Sequence, residues 1–251
     1  MTKSTILANL GSKLASIKIK DSIRKISTGK ISAGGYEAGL QSLSNTLKAR
    51  SDSWRAAANN ARQALDALQV AEDSLNEIAS LASRLQELGS LYNNNSLLST
   101  TDIASMDAET ATITTAIDAI VSGTTYNNIA MLGTSKITFN AGVTDSGGTI
   151  TLTTGTISSI ASTTDASEAD TAGSSVATEV ALSLGEISGG IQSLKARQNV
   201  AYAASAIMSA ASNSAIETDY AAETAQLTKN MMLNKISLSL VAQANADENY
   251  K

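Results

Sequence analysis

The sequence of 251 residues contains no histidine, no cysteine and no proline, and it has only one Trp and one Phe. Without histidine there is no imidazole to act as a general base or to bind a metal ion. Without cysteine there is no disulfide, no thiolate nucleophile and no zinc–thiolate site. The lack of proline removes the strongest helix breaker and permits very long helices. These absences argue against an enzyme and favour an extended helical protein.

Charge is distributed unevenly along the chain, whose formal net charge is −5. The first 30 residues hold seven lysines and arginines against a single acid, Asp21. Such a basic segment is compatible with binding to nucleic acid or to an anionic membrane. However, no aromatic side chain lies among the lysines to stack on bases or to anchor in a lipid interface. We therefore predict a solvated cationic helix face, with neither nucleic acid nor membrane as a partner.

Targeting signals are missing from the part of the chain where they would be expected. The apolar run Ile6-Leu7-Ala8 is interrupted by Asn9, which makes it too short for the apolar region of a cleaved signal peptide. No apolar stretch approaches the length of about 18 residues that a membrane-spanning helix needs. We expect neither a cleaved signal peptide nor a transmembrane segment.

Two long segments carry the apolar spacing of packed helices. Between Leu43 and Gly89, apolar positions alternate spacings of 4 and 3, which is typical of coiled-coil packing. The polar run Asn93–Ser96 predicts the end of this helix. A second segment, from near Val176 to Ala215, repeats the spacing and predicts an antiparallel partner. The sequence thus predicts a mainly α fold built on a long, coiled-coil-like antiparallel helical bundle.

The middle of the chain is richer in Ser, Thr and Gly. Ser99–Asp102 predicts the cap of a shorter helix that ends at Ser122-Gly123. Alternating β-branched residues on both sides of Asp145–Gly148 predict a β-hairpin over about residues 136–154. The polar run Ser158–Ser175 predicts a loop.

The chain termini form two further amphipathic segments, which we call the arms. Their apolar stripes are Ile6, Leu10, Leu14, Ile17, Ile23 and Ile26 at one end, and Leu227, Met231, Leu238 and Val241 at the other. Isolated amphipathic helices of this length are marginal in water. We expect the arms to order only when each other or a neighbouring copy covers the stripes.

Several short stretches, in the correct order and at both ends of the chain, resemble bacterial flagellin. Ser27-Thr28-Gly29-Lys30-Ile31-Ser32-Ala33 is similar to the family's Ser-Ser-Gly-Leu-Arg-Ile-Asn-Ser-Ala stretch. Further resemblances lie at Glu37–Leu40, Gln69–Ile78, Arg84–Leu88, Thr124–Leu132, Ile216–Thr224 and Leu240–Asn245.

The resemblance implies a structural subunit that polymerises into the flagellar filament. Residues 1–40 and 217–251 would form an inner tube, where the terminal helices make a coiled coil on assembly, and residues 41–216 would form the outer tube. It also implies self-association, a flagellar export chaperone, a filament cap, and an extracellular location reached by type III export. The expected subunit-interface residues are Leu10, Leu14, Ile17, Arg84, Glu87, Leu227, Met231, Leu238 and Val241. No cofactor or metal is expected.

Two other functions stay open at this stage. One is a flagellin-like protein of the junction between hook and filament, which assembles in few copies. The other is a membrane-active helical protein that uses the basic arm. The Ala-rich seam and the ending Ala242-Gln243-Ala244-Asn245 favour the filament subunit.

Some positions depart from the family pattern. Gly34-Gly35-Tyr36 replaces polar and acidic residues, and the chain ends at Asn249-Tyr250-Lys251 rather than at Leu-Leu-Arg. Gln86 stands where the family usually has a second Arg, and Leu91 where it often has Gln. Those two positions belong to the patch that the vertebrate innate flagellin receptor reads, so they argue against recognition by that receptor.

Two pairs of neighbouring acids are candidate catalytic residues. The pairs are Asp107 with Glu109 and Glu168 with Asp170. Neither has a histidine, a lysine or a Gly-rich loop beside it to complete a site. We interpret all four as solvated surface acids.

Overall fold

The computed structural model describes residues 3–31, 37–160 and 162–249. The Gly34-Gly35-Tyr36 departure and the terminal Tyr250-Lys251 lie outside the described residues, as does the side chain of Phe139. The predicted mainly α fold is confirmed. In the described residues the elements are α1 (Lys3–Thr28), α2 (Ala38–Tyr92), a 3-10 turn (Asn95–Leu97), α3 (Thr100–Gly123), β1 (Thr125–Tyr126), β2 (Ile129–Ala130), β3 (Ile137–Gly142), β4 (Thr149–Thr154), α4 (Ala166–Ser214) and α5 (Tyr220–Asn249).

The chain divides into two compact units. We call Met1–Ser51 with Ala206–Lys251 the arm unit, and Asp52–Ser205 the central unit. The arm unit therefore holds α1, α5, the start of α2 and the end of α4. The central unit holds the rest, including all four strands.

The predicted heptad of α2 forms the core of the central unit. Its positions from Ala57 to Gly89 are buried, and Leu68, Leu75, Ile78 and Leu85 are completely so. At the N-terminal end of α2, within the arm unit, the heptad prediction is wrong, because Leu43 and Arg50 are exposed. The neighbouring Ser44 is buried instead, where its hydroxyl lies 3.0 Å from the hydroxyl of Ser212.

Helices α2 and α4 run antiparallel in the central unit and come very close at small residues. A side chain at Gly89 would lie 2.3 Å from the backbone nitrogen of Asp170, and one at Gly173 would lie 2.6 Å from the carbonyl oxygen of Ala82. Because glycine has no Cβ, it allows the two backbones to approach to this extent. The predicted partner of the α2 seam is thus confirmed as α4.

The beginning of α4 differs from the prediction. The helix begins at Ala166, not near Val176, so the second half of the predicted Ser158–Ser175 loop is helical. Ala166, Ala169 and Val176 are fully buried, and they extend the 3-4 spacing toward the N-terminus with small residues. Alanine carries a weak hydrophobic signal, and for that reason the Ala-rich, Ser-rich sequence before Val176 resembles a loop.

The β-hairpin lies where the sequence predicts it. β3 and β4 pair antiparallel from Ile137↔Thr154 to Gly142↔Thr149, and Gly147 occupies the turn with φ of 83°. Lys136, beside β3, forms an ion pair with Glu186 of α4. Thr154 at the end of β4 is buried and donates a hydrogen bond to the carbonyl oxygen of Ile137.

A second, shorter hairpin was not predicted. β1 and β2 pair through Thr125↔Ala130 and Tyr126↔Ile129. Asn127 and Asn128 connect them with φ of 51° and 62°. Two consecutive positive φ values define the tight turn that favours asparagine and glycine. The Asn-Asn dipeptide was the signal that could have identified this hairpin.

In the arm unit, α1 and α5 pack against each other in antiparallel orientation. The Ser12 hydroxyl donates a hydrogen bond of 2.7 Å to the side-chain oxygen of Asn234, and Lys25 pairs with Glu223 at 3.9 Å. Beyond the end of α1, the amide of Thr218 donates to the carbonyl oxygen of Gly29 over 3.0 Å. Gly29 ends α1 with φ of 67°, and the hydroxyl of Tyr220 lies 2.8 Å from where a side chain would begin.

Candidate subunit interface

The surface between α1 and α5 is made largely of small and polar side chains. We call it the arm seam, and define it as Ala8, Ser12, Ala15, Ile19 and Ser22 on α1 with Glu223, Leu227, Asn230, Asn234 and Ser237 on α5; all ten are buried or half-buried. The positions again alternate spacings of 3 and 4. Because most of these side chains are small or polar, the seam buries little apolar area.

The large apolar side chains of α1 lie on its other side. We call Leu7, Leu10, Leu14 and Ile17 the outer stripe of α1; each is more than half exposed. At about 100° per residue, this stripe is nearly opposite the seam positions of the same helix. An apolar stripe therefore runs along this arm as predicted, but it does not face α5.

Helix α5 divides its apolar residues between the seam and water. Leu227 and Val241 are half-buried, whereas Met231 and Leu238 are about half exposed, at 47% and 53%. The four residues predicted as a single stripe are thus split, because the seam is centred on Asn230, Asn234 and Ser237, to one side of the stripe. Further exposed apolar residues of α5 are Met232, Leu233, Ile236 and Leu240.

Arg84 and Glu87, the two predicted interface residues of the central unit, are joined to each other and to α3. The Arg84 guanidinium donates to Glu109 over 2.8 Å through Nε and to Glu87 over 2.9 Å through Nη1. Hydrogen bonds to Glu109 and then to Glu87 raise the pKa of Arg84 above its already high ordinary value. All three side chains stay substantially exposed, so solvent screens the pairs and their contribution to stability is small.

The interpretation of Asp107 as a solvated acid is wrong, whereas Glu109 stays substantially exposed although it is ion-paired. Asp107 accepts a hydrogen bond of 2.8 Å from the amide of Ala166 at the start of α4, and Glu109 binds Arg84. Two other carboxylates act in the same way: Asp118 accepts from the Ser159 hydroxyl over 3.0 Å, and Glu179 accepts from the Ser158 amide over 2.6 Å. These carboxylates fix the link between β4 and α4.

The described residues contain no group of three or more acidic, His or Cys side chains arranged to hold a metal ion. Among those same residues, no helix is both long enough and apolar enough to cross a membrane. What the surface does offer is unusual apolar exposure along α1 and α5.

Comparisons with known proteins agree with this architecture. Residues 2–136 match the family described as the bacterial flagellin N-terminal helical region. The chain is 30% identical over 252 aligned residues to flagellins of Listeria innocua and Listeria monocytogenes, with 88% of this chain and 86% of each relative covered. A flagellin of Clostridium tyrobutyricum is 28% identical over 116 residues, which are 46% of this chain and 30% of that relative.

The family match covers more than half of the chain, and the Listeria alignments extend over most of both sequences. Both agree with the long helical hairpin and with the signatures at the two ends. This chain therefore belongs to the bacterial flagellins, the structural subunits that polymerise into the flagellar filament.

Proposed function

We propose that the paired arms, residues 1–40 and 217–251, form the inner tube of the filament and that residues 41–216 form the outer tube. The proposal rests on where the apolar side chains of the arm unit lie, because most of them are outside the contact between its two helices. Small and polar residues occupy the arm seam, while the outer stripe of α1 and much of α5 leave large apolar side chains in water.

Such a pair of helices has a reason to associate further. Burying one Leu, Ile or Met side chain contributes roughly 1.5–3 kcal/mol. Covering the exposed residues of both arms therefore favours a polymer in which neighbouring arms lie against one another. A soluble monomer rarely exposes this much contiguous apolar surface without a partner.

The predicted interface residues take two roles under this proposal. Leu10, Leu14 and Ile17 on α1, and Met231 and Leu238 on α5, contact neighbouring copies. Leu227 and Val241, which are half-buried, hold α5 on α1 and so fix which faces point outward. Arg84 and Glu87 contact a neighbour through the exposed side of their ion-paired cluster.

By the same family membership we infer that the chain leaves the cell through the flagellar type III apparatus without cleavage of a signal peptide. An export chaperone would bind the arms before export, and a cap would hold the subunit during assembly. Mass spectrometry of secreted protein tests the first inference, because an intact Met1 or Thr2 N-terminus is expected. A mature chain starting further along the sequence would contradict it.

The experiment for the inner-tube proposal is a paired substitution on the outer stripe. Leu10→Ser with Leu14→Ser should leave the melting temperature of the central unit unchanged but should strongly reduce polymerisation from filament seeds, measured by sedimentation and electron microscopy. Leu182→Ser is the matched control, because Leu182 is equally exposed but lies in the central unit. Filaments of ordinary length and yield from the double variant would contradict the proposal.

A further inference from the structure

The central unit contains a groove whose lining includes no charged residue. It lies where α2, the β1–β2 turn and β3 meet, and it encloses about 390 Å³. We call it the amide groove, and define its rim as Asn60, Gln63, Tyr126, Asn127, Ile129 and Asn140, and its floor as Ala64, Ala67, Met131, Ala141 and Gly142.

The chemistry of the amide groove selects a neutral, partly apolar occupant. Ala64, Met131 and Ala141 are buried, so the floor is apolar. Ile129 adds an apolar side chain at the mouth that is 54% exposed. The rim offers side-chain amides to hydrogen-bonding groups but has no charge to neutralise a phosphate or a carboxylate.

A second surface of the central unit has the complementary character. We call residues 88–101, at the end of α2 and through the 3-10 turn, the tip; it contains no Asp, Glu, Lys or Arg. Leu97 of the tip is 86% exposed, more than any other large apolar side chain in the described residues. Asn93, Asn94, Asn95 and Ser96 precede it in the chain and are exposed as well, so the tip also carries amide and hydroxyl groups.

The tip holds Leu97 in a defined position. The amide of Leu97 donates to the carbonyl oxygen of Asn94 over 2.9 Å, and the amide of Leu98 donates to that of Asn95 over 3.1 Å. These hydrogen bonds close the turn with the leucine side chain pointing into water. An ordered, exposed leucine among neutral polar groups matches an apolar floor with an amide rim.

The tip of one chain cannot reach the groove of the same chain. Gln63 and Tyr92 both belong to the uninterrupted helix α2. They are 29 residues apart in it, and at a rise of about 1.5 Å per residue this places roughly 44 Å of rigid helix between groove and tip. The five residues that follow Tyr92, as far as Leu97, are too few to run back over that length, so an occupant from this sequence must come from a second copy.

We propose that the tip of each subunit docks in the amide groove of the next subunit, with Leu97 on the apolar floor. The inference rests on the filament function, because a helical polymer repeats a contact between two different patches of the same molecule. The groove and the tip are two such patches, both neutral and held roughly 44 Å apart along one helix. The contact thereby links subunits head to tail.

The absence of cysteine makes cross-linking a clean test. Filaments are assembled from the full chain carrying Leu97→Cys and Gln63→Cys, then oxidised or treated with a short bismaleimide. Because each copy contributes one tip and one groove, denaturing gels should show a ladder of multimers that extends beyond the dimer. Mixed filaments of the two single variants should stop at dimers.

The matched control pairs Leu97→Cys with Glu77→Cys. Glu77 is exposed on nearly the same side of α2 as Gln63, but 14 residues or about 21 Å further along the helix. This control should give no ladder. A ladder as strong as that of the Gln63 pair would overturn the inference. It would show that Leu97 is cross-linked through random encounters between subunits and not through binding in the groove.

Other outcomes are also decisive. Normal filaments without a ladder would overturn the docking but not the filament function. Dimers from Leu97→Cys alone would show that two tips meet each other, which also overturns it. No filaments from the unsubstituted chain, with seeds present, would overturn both the docking and the polymerisation on which it rests.

Discussion

Leu68 and Leu75 lie at the centre of the α2 seam, and no part of either residue is accessible to water. Truncating a fully buried leucine removes apolar burial and leaves a cavity, which together cost about 2–5 kcal/mol. We expect Leu75→Ala to lower the free energy of unfolding of the central unit by that amount in chemical denaturation. Leu182→Ala, on the exposed side of α4, should change it by less than about 0.5 kcal/mol. Equal effects of the two substitutions would contradict the assignment of the seam.

Asp102 closes the N-terminus of α3 in a reciprocal cap with Ser99. The Ser99 hydroxyl donates to the Asp102 carboxylate over 2.7 Å, its amide donates over 3.0 Å, and the Asp102 amide donates back to the Ser99 hydroxyl. The hydroxyl and then the backbone hydrogen bond hold the pKa of Asp102 below its ordinary value. The charged carboxylate is thus favoured in the folded chain, as expected in the first turn of a helix.

A lowered pKa determines how the cap depends on pH. Its stabilisation is fully present above the pKa of an unfolded aspartate, about 3.9, and is lost as the pH falls through the lower folded value. We expect Asp102→Asn to melt below the unsubstituted chain at about pH 7 and the difference to shrink toward about pH 2. Asn76→Ala, at an exposed position inside α2, is the control: it removes no titratable group, so its effect on melting should not converge in this way. A difference that stays constant with pH would contradict the cap.

At the scale of the elements, glycine positions decide how closely α2 and α4 pack. A methyl group at Gly173 would lie 2.6 Å from the Ala82 carbonyl oxygen, so the helices must move apart. We expect Gly173→Ala to destabilise the central unit by about 1–3 kcal/mol, as overpacking does.

Gly185 provides the matched control in the same helix. No atom lies within 4 Å of a methyl group added there, so Gly185→Ala should stabilise the helix by about 0.5–1 kcal/mol through its backbone propensity. The two free energies of unfolding should therefore move in opposite directions. Changes of the same sign would show that close approach at Gly173 is not what limits the packing.

The sequence predicts elements best where large apolar residues repeat. The α2 seam from Ala57 onward, the Ser99 cap and the β3–β4 hairpin all follow from periodicity or turn chemistry. The start of α4 does not, because Ala166, Ala169 and Gly173 pack by being small, and small residues are also common in loops. The β1–β2 hairpin was missed for a related reason: each strand is only two residues long, so no alternation is visible.

Sequence patterns do not predict interactions between residues that are far apart in the chain. Asp107, Asp118 and Glu179 hold the link before α4, but their partners lie at least 21 residues away. Acidic residues without regular spacing resemble solvated surface acids. Only the fold brings each carboxylate to a backbone amide or hydroxyl.

For the whole molecule, the sequence identified the apolar stripes of the arms but not which side they face. Ser12, Ser22, Asn230 and Asn234 lie at equally regular positions, but they are polar and so give no signal of apolar periodicity. Because these small residues fit the arm seam, the leucines and methionines are left on the outside. The order of the arms in a monomer, and the division into inner and outer tubes, stay predictions.

The most direct test of the account compares polymerisation of the full chain with that of a chain lacking residues 227–251. Both are mixed with filament seeds and followed by electron microscopy, and the melting of the central unit is measured in parallel. We predict long filaments from the full chain and none from the shortened chain, with the same melting transition of the central unit in both. Filaments of normal length from the shortened chain, or none from the full chain, would contradict the claim that the arms drive assembly.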